Sequence, residues 1–245
     1  MHSFRPVSTL ALLFGIFLLS GFAADADAAN CRGLPSEGEL KAFLAAAPAA
    51  GGDAGGLFHG TRMWGAVVNR DGELCALATS TVDPTQVWPG SRHIAMHKAH
   101  TANGFSLDTL ALSTARLYTF SQPGHSLFGL NNSNLFDTKC LGAPGSPKGR
   151  NQICAGVITF GGGVGLYSGS EIIGALGVSG DTACADHEIA KRVRNLAGLN
   201  PPGGPLVDDI TYSTTEGASV FTHPLCVNTW RNGVFVGNEQ PAAGY

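Results

Sequence analysis

The sequence predicts one α/β (α+β) domain built on a mostly antiparallel sheet with helices packed around it. Three observations predict it. The apolar run from Met63 to Asn69 and its return from Glu73 to Thr79 flank Asp71-Gly72, a dipeptide favoured in tight hairpin turns. A second apolar run, Ile172 to Val178, passes through Ser179-Gly180-Asp181 into a helix marked by Ala185, Ile189, Val193 and Leu196 at helical spacing. Once a leader is removed, roughly 215 residues remain, enough for a single domain with a full core.

That leader is residues 1–28. Arg5 gives it a positive start, Leu10 to Phe22 an apolar centre, and Ala26-Asp27-Ala28 a small-residue cleavage site. The apolar run is short for a membrane span, so a periplasmic or secreted protein without stable membrane insertion is expected. A main domain over 29–200 and an extension over 201–245 packed on it would follow. Between Cys31 and Ala50, Ser36 caps a short helix that presents Leu40, Phe43 and Leu44 to the core and ends at Pro48 and the Gly51–Gly56 run. After the hairpin and a Pro-containing loop, Ser91 opens a helix reaching Asn103. A further helix is expected over Ser106 to Phe120, ending at Gln122-Pro123-Gly124. Residues 131–155 read as an irregular insertion, and a strand over Val157–Phe160 leads into the glycines at 161–163.

In the last long helix, Asp181 or Thr182 supplies the cap, Lys191, Arg192 and Arg194 favour its C-terminal end, and Gly198 stops it. Pro201 to Pro205 is a turn-rich connection. Edge strands over Asp208–Tyr212 and Ser219–Phe221 are expected beyond it, with frayed final residues.

Composition excludes some functions. The formal charge is −3, and loss of Arg5, Asp25 and Asp27 with the leader brings it to −2, which argues against nucleic acid or an anionic membrane surface as partner. Only 13% of residues are charged, which fits burial in subunit contacts and a homo-oligomer. All six cysteines lie in the exported part, as expected for disulfides in an oxidising compartment. Many pairings are possible. The expected one joins Cys140 to Cys154 across a local loop and Cys184 to Cys226 between the last long helix and the tail, leaving Cys31 with Cys75. Without C-x-x-C spacing, redox catalysis and a zinc knuckle are disfavoured.

The chemistry-bearing motif is SRHIAMHKAHTAN, residues 91–103. His93, His97 and His100 fall on one helical stripe, and imidazoles so placed can ligate a transition metal or the iron of haem. Lys98 lies nearer the apolar side, where it can pair with a buried carboxylate or meet an anionic ligand group. His125 sits in a glycine-flanked loop. The glycines around 161–165 and 174–180 leave backbone uncovered, so they serve either close packing or the approach of a flat ligand. Asp186-His187 can do acid–base work, although Asp186 bonding near the helix start with His187 facing outward is the simpler expectation. Asp208 and Asp209 read as solvated. Signatures of nucleophilic hydrolases, zincins and nucleotide-binding loops are absent.

Four stretches carry a resemblance: WGAVVNRDGELCALA (64–78), WPGSRHIAMHKAHTANGFS (88–106), ALSTARLYTFSQPGHSLFGLNNSN (111–134) and GGGVGLYSGSEIIGALGVSGDTACADHEIA (161–190). In this order they resemble the GlcG/HbpS-like family of haem-binding and haem-associated proteins, in its exported branch with a C-terminal extension. The resemblance implies a profilin-like architecture, a homo-oligomer, and haem or a related tetrapyrrole as cofactor. Arg92, Lys98, Thr101, Ala102 and Asn103 match the family pattern, whereas the histidines stand at variable positions. The ligand-contacting residues expected are His97, Lys98, His100, His125, Gly162, Gly163, Tyr167, Ser179 and Asp186, with His97 and His100 as candidate metal ligands. A second expectation is an enzyme or accessory subunit acting on a small anionic metabolite, with Lys98 and Asp186 as its polar pair. A third is a structural oligomer without ligand.

Overall fold

A computed structural model of the chain describes Met1, residues 31–140 and residues 152–241, and apart from Met1 the expected leader lies outside them. Four strands, β1 (Trp64–Asn69), β2 (Leu74–Thr79), β3 (Gly163–Ser168) and β4 (Glu171–Ser179), form one antiparallel sheet in the order β2-β1-β4-β3. Three helices cover it: α1 (Glu37–Ala46), α2 (Ser91–Phe105) and α3 (Ala183–Leu196). This is the α+β arrangement expected, a mostly antiparallel sheet packed with helices.

Alternation along the strands assigns the faces. Trp64, Ala66 and Val68 of β1 and Ala175 of β4 join Ala95, Met96, Ala99 and Ala102 of α2 in one core. Val67, Ala76, Ala78, Leu176 and Val178 join Leu40 and Leu44 of α1 and Ile189, Ala190 and Val193 of α3 in the other. Leu40 and Leu44 are fully buried, each contributing about 1.5–3 kcal/mol by area. Helix α1 begins at a reciprocal cap: Ser36 Oγ accepts from the Glu39 amide while the Glu39 carboxylate accepts from the Ser36 amide.

Helix α2 lies directly on sheet backbone because glycines make room for it. Gly163 and Gly177 are cross-strand partners. A Cβ on Gly177 would lie 2.0 Å from the Ala95 carbonyl oxygen, and one on Gly163 would lie 2.5 Å from that of Lys98. Of the glycines at 161–163, Gly163 begins edge strand β3 while Gly161 and Gly162 bend the chain before it, and Val157–Phe160 forms no strand.

Helix α3 carries buried charge along its length. Arg192 donates to the carbonyls of Ala47, Pro48, Gly51, Gly52 and Asp53, closing off the chain beyond α1. Arg194 grips the Asp208 carboxylate through two nitrogens at 2.6 and 2.9 Å, both residues fully buried. Lys191 lies 2.6 Å from Asp209 and 2.8 Å from Glu188. Asp208 and Asp209 are thus buried counter-ions rather than solvated groups, and the cations of α3 answer them instead of acting mainly through the helix dipole.

All three expected disulfides are present, Cys31–Cys75, Cys140–Cys154 and Cys184–Cys226. The stretch expected as a helix over Ser106–Phe120 is instead a turn followed by short 3-10 segments at Thr114–Leu117 and Thr119–Ser121. Its polar side chains bond outside the segment: Ser113 to the Asp208 carbonyl and Thr114 to that of Phe160. The tail strands also differ. Residues 208–212 and 219–221 contribute a single bridge, Thr211 to Thr222, while β5 (Thr229–Arg231) and β6 (Val234–Gly237) form a hairpin where fraying was expected. Asn232 at φ 54° and Gly233 at φ 77° supply the left-handed pair its turn needs.

Candidate functional site

Helix α2 presents two different faces from neighbouring residues. Lys98 points into the protein. Its ammonium is fully buried, 2.6 Å from Asp186 Oδ2, and donates to the Val178 carbonyl at 3.0 Å. The Phe160 ring lies 4.9 Å from its nitrogen. Asp186 Oδ1 accepts the Asp181 amide at 2.9 Å. Burial pushes Asp186 up to about 6 despite the neighbouring ammonium, and burial pulls Lys98 below the ordinary lysine value against the pull of that carboxylate.

Gly162 closes this pair from above, and a Cβ there would lie 2.7 Å from Lys98 Nζ and 2.5 Å from the Val178 oxygen. Gly162 and Gly163 therefore spend their missing side chains on protein contacts. Lys98, Gly162, Gly163 and Asp186 meet as expected, but as a closed cluster beneath protein, with Ser179 next to it at the buried end of β4. Tyr167 stands apart on β3, 1% exposed, its hydroxyl donating to the Leu107 carbonyl.

The other face of α2 carries the histidines. The His97 ring packs 4.5 Å from Phe136 and 5.7 Å from His93. Gly156, at φ 84°, brings the backbone against the same ring. His97 Nε2 and His100 Nδ1 are buried with no hydrogen-bond partner among the described residues. Burial, with His93 and His100 adding to it, holds His97 down to about 4, so it is neutral and its ring nitrogens are not blocked by a second proton. His125 is exposed in its loop.

The histidine stripe is not a three-ligand metal centre. Among the described residues, the three-ligand set whose donor atoms lie within 4.8 Å of one another is Cys184, His223 and Cys226, and both of those sulfurs are in a disulfide.

Two further features escaped the sequence. Of the two caps expected for α3, Thr182 serves, accepting from the Ala185 amide, and what the sequence did not show is the other role of Asp181. The Asp181 carboxylate instead accepts amides from Leu57, Phe58, Gly60 and Thr182, at 2.6 to 3.3 Å, and so fastens the loop before β1 to the start of α3. His187, expected outside, is fully buried, and its Nε2 accepts the Ile210 amide. Local sequence offers no signal for either, because both partners are distant in the chain. Phe136, beside His97, lies in what reads as an irregular insertion.

A model of the family described as haem degrading protein HbpS-like matches residues 41–194. Similar solved structures include Klebsiella pneumoniae protein ORFY, 22% identical over 66% of this chain and 86% of that chain, with a TM-score of 0.45. A PduOC–haem complex is 23% identical over 65% of this chain and 90% of that chain, also at 0.45. A double mutant of HbpS from Streptomyces reticuli is 16% identical over 78% of this chain and 98% of that chain, at 0.39. Among curated proteins none matches.

Proposed function

The chain belongs to the HbpS-like family, and on that premise we propose that it is an exported haem-associated protein that binds haem or a related tetrapyrrole on the outer face of α2. One observation carries the placement: His97 is held neutral by burial and keeps a buried Nε2 without a partner. An unpartnered buried nitrogen is costly unless a ligand completes it. Phe136 offers an aromatic wall beside it. His100, with its own unpartnered Nδ1, is the second candidate, and exposed His125 the third. Haem bound there would supply iron as a ligand-binding and redox centre.

In this reading Lys98 and Asp186 do not touch the ligand. They satisfy one another and hold α2 against the glycines of the sheet, so that its histidines stand in fixed positions. The backbone around Gly156 lies against the His97 ring, so haem entry displaces that loop. Export accords with the leader-like N-terminus and three disulfides, and no helix among the described residues is long and apolar enough to cross a membrane. Assembly into a homo-oligomer is part of the same proposal.

The test is an equilibrium titration of the leaderless chain with haem, followed by absorbance against a protein that does not bind it. Saturation near one haem per chain is the expected result. Unsaturable association no stronger than the control's rules the reading out.

A further inference from the structure

Buried guanidinium groups in this protein show how a satisfied arginine looks, and one departs from the pattern. Arg192 donates to five carbonyls, and Arg194, although its own Nε lacks a partner, holds a carboxylate with two nitrogens. Arg92 is 6% exposed, yet its Nε and Nη2 are buried with no acceptor among the described residues. Its guanidinium lies 5.8 Å from the centre of the Trp64 ring, itself 4% exposed. Burial lowers its pKa, and no carboxylate offsets that effect. A cationic group taken out of water without a counter-charge costs several kcal/mol, as an order of magnitude.

The geometry of the vacant edge is informative. Nε and Nη2 lie side by side with parallel N–H bonds, the fork that takes two oxygens of a planar carboxylate or of a phosphate. Arg92 stands in the first turn of α2, where the N-cap is Gly90 and no side chain caps the free amides. That end of a 15-residue helix favours negative charge. Adjacent His93 adds a group that turns positive as pH falls, and burial and then Arg92 lower its pKa. Residues 141–151, outside the described structure, contain Lys148 and Arg150 but no Asp or Glu.

We propose that Arg92 is an oxyanion-binding residue, whose Nε–Nη2 edge takes a carboxylate or phosphate side-on at the start of α2. The oxyanion comes either from a small molecule or from an acidic side chain of a second copy of this chain. The site is separate from the Lys98–Asp186 pair, whose ammonium is already occupied.

The experiment uses the haem-free leaderless protein, so its outcome does not depend on haem binding. Thermal unfolding is followed while inorganic phosphate, acetate or oxalate is titrated into wild type, Arg92→Met and Arg92→Lys, with sedimentation of each protein in parallel. A saturable rise in Tm for wild type, absent in Arg92→Met and needing about tenfold more anion in Arg92→Lys, supports a free oxyanion, because lysine keeps the charge but loses the fork. No anion response, but a wild-type oligomer that dissociates in both variants, supports a carboxylate from a second copy. In the ligand-free monomer Arg92→Met is expected to be at least as stable as wild type, since it removes an unpaired charge. Equal anion response in all three proteins with unchanged assembly, or an Arg92→Met that unfolds at lower temperature as a ligand-free monomer, overturns the proposal.

Discussion

Lys98 and His97 are sequence neighbours with opposite fates, and the helix explains both. A rotation of about 100° per residue sends Lys98 under the sheet edge to Asp186 and turns His97 toward Phe136. The sequence motif was legible as a lysine near the apolar side and a histidine stripe, with Asp186 already paired to Lys98; that both groups would be buried within the protein was not. Breaking a buried pair from one side strands a charge, so Lys98→Met should cost about 3–5 kcal/mol in urea unfolding, and Lys98→Met with Asp186→Asn should recover much of it. A full, unrecovered loss in the double variant would show that the lysine acts by packing alone. His97 makes a pH prediction. Its unfolded imidazole protonates near 6.5 and its folded one near 4, so between these values the unfolded chain binds more protons and stability falls as pH falls. In His97→Gln the slope of stability against pH in that window should be shallower by about one proton. Buried His223, also near 4, and Asp186, which leans the opposite way, contribute equally to both proteins.

At the scale of elements, backbone contact decides what the pattern of side chains cannot. The hairpin of β1 and β2, the capped α1 and the course of β4 into α3 followed from periodicity, Asp71-Gly72 and Ser36, all local signals. The helix expected at 106–120 failed because Ser113 and Thr114 spend their hydroxyls on distant carbonyls, a tertiary demand that overrides local propensity. The β5–β6 hairpin was missed because its turn is Asn232-Gly233 between very short strands at the chain's end. The glycines were ambiguous between ligand approach and packing; at Gly162, Gly163 and Gly177 the structure places protein against the open side. Gly177→Ala should therefore destabilise by about 3 kcal/mol or more, since the clash is with α2 backbone that cannot rotate away. Gly104→Ala, in α2 with nothing within 4 Å, should instead stabilise by about 0.5–1 kcal/mol. Equal effects at both positions in thermal melts would contradict the close seating of α2.

Across the whole molecule, the C-terminal segment completes the core beyond the part matched by the family model. Asp208 and Asp209 neutralise Arg194 and Lys191, the Asn232 amide bonds Glu188, and Cys226 fixes the segment to the first turn of α3. Cysteine parity and the expectation of export made disulfides legible, whereas the buried charge on α3 was hidden because its counter-ions sit in a stretch that reads as a loop. Replacing both Cys184 and Cys226 with serine should cost about 4 kcal/mol, the loop-entropy value for a separation of 42 residues, and expose the segment to limited proteolysis. Unchanged stability and protection would mean that the ion pairs alone anchor it.

In the proposed function α2 would supply the axial ligand to haem from His97. The most direct measurement is the Soret absorbance of the haem-loaded leaderless protein compared across His97→Ala, His100→Ala and His125→Ala. His97→Ala alone should shift the Soret band and weaken binding, and added imidazole should restore the wild-type spectrum. An unchanged spectrum in His97→Ala, or a shift found only in His100→Ala or His125→Ala, would contradict that role of His97.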